Sequence, residues 1–347
     1  MIGNGERVKK YITNLYGHGL ESTAMQAQHM VSKIAKTLEF SEIGIRGHDV
    51  NGDTEEERYK RIEGMLSSVS DDALVVAQMP TWNGIAFDEV FMRQVRPRAQ
   101  KLVVFVHDFV PLMFVNNRYL MDRYIDAYNL ADIVVLPSER MAGLLCDEGL
   151  TAPIMIQDIW DHVTSLDNLS IPRFEKTLKF AGNISRFPFV HDWKGPLTLE
   201  VFSNSSLNEN AYLNFKGWKH NEALLRALNE GGFGLVWSEN IDNQEEREYS
   251  EMNASFKFST YLAAGLPLIV NRGLAKQEFV ERHGLGLVVD NLEEAISLIE
   301  KMSTEEYQII QRRVQMVSEL VRSGFFTQKL LIEIQSFLYL GEKNDNL

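Results

Sequence analysis

The chain has 347 residues, of which 45% are hydrophobic and 24% charged, with a formal net charge of −13 and a single cysteine. That length favours two domains, and the apolar share lets each bury a core. The acidic balance opposes non-specific binding to nucleic acid, and a lone Cys146 excludes an internal disulfide and leaves any structural zinc site to His and carboxylate ligands.

Residues Met1 to Gly19 lack the apolar stretch of a secretory signal, and no window holds the roughly 20 apolar residues of a membrane span. A reducing, cytoplasmic location is therefore expected. Beyond this start, short apolar runs alternate with longer segments of helical spacing. The runs Val8 to Leu15, Phe40 to Ile45, Ala73 to Gln78, Leu102 to His107, Ile133 to Leu136 and Ile154 to Ile156 read as strands. Several are apolar on consecutive positions, as in parallel sheets covered on both faces. Between them, Ser22 to Leu38, Thr54 to Ser68, Ala86 to Arg96, Asn117 to Leu130 and Glu139 to Glu148 read as helices, with Pro97 ending the third and Ser138 capping the fifth.

Ser165 to Glu175, polar and broken by Pro172, is the expected linker. The pattern then restarts with strands Lys179 to Asn183, Leu197 to Phe202, Leu213 to Phe215, Phe233 to Val236, Leu268 to Val270 and Leu285 to Val289. The intervening helices are Asn221 to Asn229, Ser255 to Ala264, Ala275 to Glu281 and Leu292 to Lys301, and two long helices, Thr304 to Ser323 and Thr327 to Leu340, end the chain. The expectation is an α/β protein of two Rossmann-like domains, residues 1–165 and 166–324, with the helix in 325–347 able to cross back onto the first. Ligands of such sheets bind beyond the carboxyl ends of the strands, so the residues just after each run carry the functional expectations.

Asn253 to Val270, NASFKFSTYLAAGLPLIV, is the most informative segment. Ser255 caps a helix there, which places Lys257 in the first turn, where a cation is unfavourable unless an anion binds at the same end. A solvated lysine is the other reading. Lys257 to Ile269, Lys-x-x-x-Tyr-Leu-Ala-Ala-Gly-Leu-Pro-x-Ile, resembles the donor-binding segment of GT-B glycosyltransferases, and Gly284-Leu285-Gly286-Leu287-Val288-Val289 resembles a later part of that domain. A wider match runs through Ile12-Thr13-Asn14-Leu15-Tyr16-Gly17, Ser22-Thr23-Ala24, Met79-Pro80-Thr81-Trp82-Asn83, Val106-His107-Asp108-Phe109-Val110-Pro111-Leu112, and Phe180-Ala181-Gly182-Asn183-Ile184 with Arg186. These segments resemble the accessory glucosyltransferases, also called nucleotide-sugar-synthetase-like, that act on serine-rich repeat adhesins of Gram-positive bacteria.

The resemblance implies a GT-B fold with two domains around a cleft, and a metal-independent enzyme with no cofactor beyond its UDP-sugar donor. It implies transfer of glucose or GlcNAc to GlcNAc already on Ser or Thr of the adhesin, and a homo-oligomer, by resemblance a tetramer. It also implies that Arg186 and Lys257 neutralise the donor pyrophosphate, beside Ser255 and Phe256 at the helix start, and that Thr23 reaches the phosphate or sugar. Thr260 stands where many GT-B enzymes carry a ribose-binding glutamate, which leaves it a weaker hydrogen bond to offer.

Position alone suggests other roles. Tyr212 could stack on uracil or sit in the core, and Ser238 and Asn240, after the strand Phe233 to Val236, could select the donor sugar. His107 and Asp108 end a very apolar strand: Asp108 could act as general base or cap the next helix, and His107 could touch the sugar, although a retaining mechanism needs no such base. Trp82 and Asn83 could form a sugar-stacking platform, and the roles of Asp158, Trp160, Asp161 and His162 are open. Two rival readings are a hexosyl- or galactofuranosyltransferase of surface polysaccharide, and a non-catalytic partner that binds UDP-sugar.

Overall fold

The computed structural model describes residues 8–19, 22–167, 169–205, 210–238 and 244–341. The chain divides into two units, Met1–Gln157 with Thr327–Leu347, and Asp158–Phe326. The first unit contains β1 (Lys10–Tyr16), α1 (Thr23–Lys36), β2 (Phe40–Arg46), α2 (Glu55–Met65), β3 (Ala73–Met79), α3 (Ile85–Val95), β4 (Ala99–Val106), α4 (Val110–Met113), α5 (Met121–Tyr128), β5 (Ile133–Leu136), α6 (Glu139–Asp147) and β6 (Ile154–Ile156). Its strands are all parallel, in the order β2-β1-β3-β4-β5-β6. Every residue of β3 and β5 is buried, which is why their sequences are apolar without alternation. Side-chain caps start the helices: Ser22 accepts from the Met25 N–H, Ser138 from Met141, and Thr54 forms a capping box with Glu57.

The second unit contains β7 (Arg173–Ala181), β8 (Thr198–Phe202), β9 (Leu213–Phe215), α7 (Asn221–Leu228), β10 (Gly231–Val236), α8 (Gln244–Met252), α9 (Phe256–Ala263), β11 (Leu268–Asn271), α10 (Gln277–His283), β12 (Gly286–Val289), α11 (Leu292–Lys301) and α12 (Thr304–Ser323). Gly324, in the left-handed region at φ 81°, ends α12, and α13 (Phe325–Leu340) runs on into the first unit. The order is β12-β11-β10-β7-β8-β9, again all parallel, so the order reverses between β7 and β10. One face of this sheet is covered by Ala295, Ile299 and Tyr307, the other by Leu225, Tyr261, Leu262, Val314 and Val321.

Three local readings need correction. β7 begins at Arg173, inside the expected linker, and stops at Ala181 rather than Asn183. Its first half, Arg-Phe-Glu-Lys-Thr, is half-exposed and polar, so no apolar run announced it. The second concerns α8, which was not anticipated, because QEEREYSEM buries only Tyr249 and Met252 and offers no apolar stripe. The third is the stretch before α5, where residues Val115–Leu120 form a 3-10 turn rather than the first part of a long helix. No described helix is long and apolar enough to cross a membrane.

Candidate functional site

The reversal between β7 and β10 is the place where an open parallel sheet leaves room for a ligand. β7 ends there in Ala181-Gly182-Asn183, and the Asn183 side chain accepts from the Ser185 N–H at 3.0 Å to start a short 3-10 turn, Ile184–Arg186. Helix α9 is brought to the same end by Tyr261, whose hydroxyl accepts from the Ala181 N–H at 2.8 Å. Gly234 of β10 makes this approach possible, since a Cβ there would lie 2.4 Å from Tyr261 Cγ. The segment before the second unit's sheet braces α9 further. Trp160 donates its indole N–H to the Ala254 carbonyl at 2.9 Å, and Ser259 donates to the Trp160 carbonyl.

Ser255 caps α9, accepting from the Lys257 N–H at 3.3 Å. The Lys257 side chain runs over Gly182, where a Cβ would lie 3.1 Å from Lys257 Cε. Its ammonium sits 4.8 Å from the Phe187 ring centroid and 5.6 Å from that of Phe180. Burial, together with the positive charge of Arg186 nearby, lowers its pKa to about 8. Arg186 itself is half-covered and pairs with Glu246 of α8 at 3.0 Å. Two cations therefore gather at a helix amino end, and among the described residues aromatic faces rather than a carboxylate surround the lysine. Glu246 compensates Arg186, but desolvation and the like charge of Arg186 still disfavour the Lys257 ammonium unless an anion shares the site.

The other expected residues fall in different places. Phe256 stacks on His162, ring centroids 5.3 Å apart, and Thr260 Oγ1 lies 3.2 Å from His162 Nδ1 and 3.1 Å from the Phe256 carbonyl. His162 Nε2 is 2.6 Å from Asn221 Oδ1, and burial lowers its pKa to about 4, so the ring is neutral. Thr260 thus holds the first turns of α9 together, and its hydroxyl is already engaged. Ser238 is buried; its N–H donates to Asn271 Oδ1 at 2.8 Å, which ties the carboxyl ends of β10 and β11. Asn240 lies outside the described residues.

Tyr212 is displaced from this group. Its carbonyl accepts from the Leu199 N–H near the start of β8, and its ring lies against Gly195, where a Cβ would be 2.5 Å from Tyr212 Cγ. It therefore occupies the amino end of the strands, whereas Gly182 and Lys257 lie at the carboxyl end. At the carboxyl end of β9, sequence reasoning missed Trp218, which is 45% exposed and edge-on to His220 at 6.0 Å. Its position just after Phe215 was the available signal.

In the first unit, Thr23 is exposed at the start of α1. His107 follows β4 and is buried, with Nε2 2.8 Å from Gln78 Oε1, and burial lowers its pKa to about 3. An imidazole so reluctant to protonate is a poor general base near neutrality, so it suits hydrogen bonding rather than proton transfer. Asp108 is half-buried, and the cap of α4 is Phe109, with no side-chain hydrogen bond.

Comparison with known proteins bears on the family and the fold. The family descriptions "Glucosyltransferase 3-like, N-terminal domain" and "Glucosyltransferase 3-like, C-terminal domain" match residues 9–159 and 178–334. Glucosyltransferase 3 of Streptococcus gordonii is 43% identical over 328 residues, covering 94% of this chain and 98% of that one. Beta-1,6-galactofuranosyltransferase WbbI of Escherichia coli K12 is 23% identical over 219 residues, 60% of this chain and 66% of that one. The crystal structure of Anabaena HepE in complex with UDP superposes with a TM-score of 0.66 at 12% identity, covering 94% of this chain and 100% of that one. The fold is thus GT-B, and the chain belongs to the glucosyltransferase 3-like family of glycosyltransferases.

Proposed function

We propose that this glycosyltransferase moves glucose or GlcNAc from a UDP-sugar onto GlcNAc already attached to Ser or Thr of a serine-rich repeat adhesin, without a metal ion. The observation that carries the donor half is the gathering of Lys257 and Arg186 at the start of α9, with no carboxylate against the lysine among the described residues. When the glycosidic bond to the donor phosphate breaks, negative charge grows on the departing UDP. Two fixed cations and a helix amino end stabilise that charge, which is the task a divalent metal performs in other transferases. HepE, bound to UDP in its crystal structure, shares this fold. The acceptor half rests on the resemblance of the motifs to enzymes acting on serine-rich repeat adhesins. By the same resemblance the enzyme is a homo-oligomer, a tetramer, which light scattering of the purified chain would test.

The deciding experiment mixes the protein with EDTA, a GlcNAc-modified serine-rich peptide, and UDP-glucose or UDP-GlcNAc in parallel. A mass gain of one hexose or one N-acetylhexosamine is expected with one donor. Activity that vanishes with EDTA and returns with a divalent cation would remove the metal-free part of the proposal. If no transfer occurs while UDP-sugar still binds, the acceptor is wrong, and the partial similarity to WbbI makes a surface-polysaccharide acceptor the second reading.

Donor choice is placed on the loop after β10. Ser238→Ala removes the hydroxyl's bonds to the Asn271 amide, at 3.2 and 3.1 Å, and leaves the backbone N–H bond in place, while Asn240→Ala removes the amide two positions further along the sequence. Each variant is expected to change the ratio of UDP-glucose to UDP-GlcNAc use about fivefold, the worth of one hydrogen bond. Unchanged ratios in both variants would take sugar selection away from this loop.

A further inference from the structure

The first unit has its own reversal of strand order, between β1 and β3, and the chain leaving that point is built in an unusual way. β3 runs into Pro80-Thr81-Trp82-Asn83-Gly84, and Trp82 has φ 60°. The left-handed region disfavours a bulky residue by about 1–3 kcal/mol and persists only where the surroundings enforce it. Here both neighbours of Trp82 are clamped. Thr81, buried, donates its hydroxyl to Asp88 in the first turns of α3. Asn83 reaches across to the exit of β2, donating to the Arg46 carbonyl at 3.2 Å and accepting from the His48 N–H at 3.0 Å.

The clamp is itself costly. Asp88 is wholly buried, and burial pushes its carboxyl up to about 7. Its second oxygen, Oδ2, has no hydrogen-bond partner among the described residues. Folding alone gives no reason to keep a buried carboxyl and a strained tryptophan side by side. Between the Arg46 and His48 groups that Asn83 grips comes Gly47, and on it lies the His18 ring, after β1, whose Nε2 a Cβ there would meet at 2.6 Å. Trp82 Nε1 and His18 Nε2 are both shielded and without a protein partner among the described residues. Gly84 opens on free space, with nothing within 4 Å of a Cβ built there.

We propose that Trp82 and His18 form the subsite for the acceptor sugar, a pyranose with an N-acetylamino group. The half-buried indole lies against the apolar face of the ring, and a sugar that displaces the packing over Trp82 Nε1 and His18 Nε2 gives these nitrogens the partners they lack. Thr81, Asn83 and Asp88 are positioning residues that hold the indole in its left-handed conformation. The subsite deepens the transferase reading above and rests on it only for the identity of the sugar.

The test is direct binding to the full chain, followed by saturation-transfer NMR. Methyl β-glycosides of GlcNAc, glucose and galactose are titrated into wild type, Trp82→Ala and Trp82→Phe, and UDP-glucose affinity is measured by calorimetry on the same samples. The GlcNAc glycoside is expected to bind wild type, to bind Trp82→Ala about tenfold more weakly, and to recover most of the loss in Trp82→Phe, with UDP-glucose affinity unchanged throughout. Equal glycoside binding by wild type and Trp82→Ala overturns the subsite. So does a parallel loss of UDP-glucose binding, and so does binding of UDP-glucose by wild type with none of the three glycosides. If galactose or glucose binds instead and is lost in Trp82→Ala, the subsite stands and the GlcNAc acceptor falls.

Discussion

Alanine at Lys257 or at Arg186 is expected to slow sugar transfer about 100-fold, the usual cost of removing one preorganised group that stabilises charge in a transition state. The effect should lie mostly in kcat if the cations act on the departing UDP, and mostly in KM if they only bind the resting donor. Lys257 also fixes a pH dependence. Its ammonium titrates near about 8 because burial and Arg186 both oppose its charge. Donor binding favours the charged form, so affinity for UDP-glucose is flat below about pH 7, where the lysine is already protonated. Above about pH 8 binding must take up a proton, and affinity falls toward tenfold per unit, reaching roughly tenfold at pH 9. The pyrophosphate of a UDP-sugar does not titrate in this range and the uracil N3–H does so only at its alkaline end, so the slope that Lys257→Arg removes is the lysine's. Lys257→Arg keeps a permanent charge and should flatten the profile even where it weakens binding. Full activity in both alanine variants, or the same slope in Lys257→Arg, would move the phosphate site elsewhere.

Lys257 was legible in the sequence because its position is locally wrong: a cation in the first turn of a helix capped by Ser255 opposes the helix dipole. The consecutive apolar residues of β3, β5 and β10 announced strands buried on both faces, and the strands and helices followed in alternation. What failed had little apolar signal. α8 buries two of nine residues, yet it supplies Glu246 to Arg186. β7 begins in charged residues, and the division into units falls at 157/158, because Trp160 is bound to Ala254 and Ser259 of the second unit. Tyr212 precedes β9 and so lies at the amino end of the strands, whereas the rule that ligands bind beyond carboxyl ends directs attention to the residues after β9, where Trp218 is exposed. The clamps around Trp82 were not legible at all, because Asn83 finds its partners at Arg46 and His48, in a different crossover of the sheet. Thr260 invited a ligand role that only its contact with His162 redirects.

The placement of α9 depends on a residue with no side chain, and this leads to the second large effect. Gly234 lies in the middle of β10, a strand buried at every position. A methyl group there would meet Tyr261 Cγ at 2.4 Å, Cδ2 at 2.6 Å and Cβ at 2.7 Å. These atoms are the root of a ring held at its far end by the Ala181 N–H, so the ring cannot swing away without giving up that bond. Helix α9 must then lift from the sheet, taking Ser255 and Lys257 away from Gly182. Gly234→Ala is expected to cost about 3 kcal/mol of stability, at the upper end for overpacking a tight core, and to weaken UDP-glucose binding in the same variant. Tyr261→Phe removes only the hydroxyl and should cost about 1 kcal/mol. Adding Tyr261→Ala to Gly234→Ala removes the ring contacts and leaves only the one with Cβ at 2.7 Å, so the pair should be less destabilised than the two single changes summed. Denaturant unfolding and calorimetry with UDP-glucose on the three variants and the double variant make the comparison. A Gly234→Ala protein that loses stability but keeps its donor affinity would mean that the phosphate site does not depend on how closely α9 sits on β10; one that loses neither would mean that the strand yields at Gly234 instead of the helix.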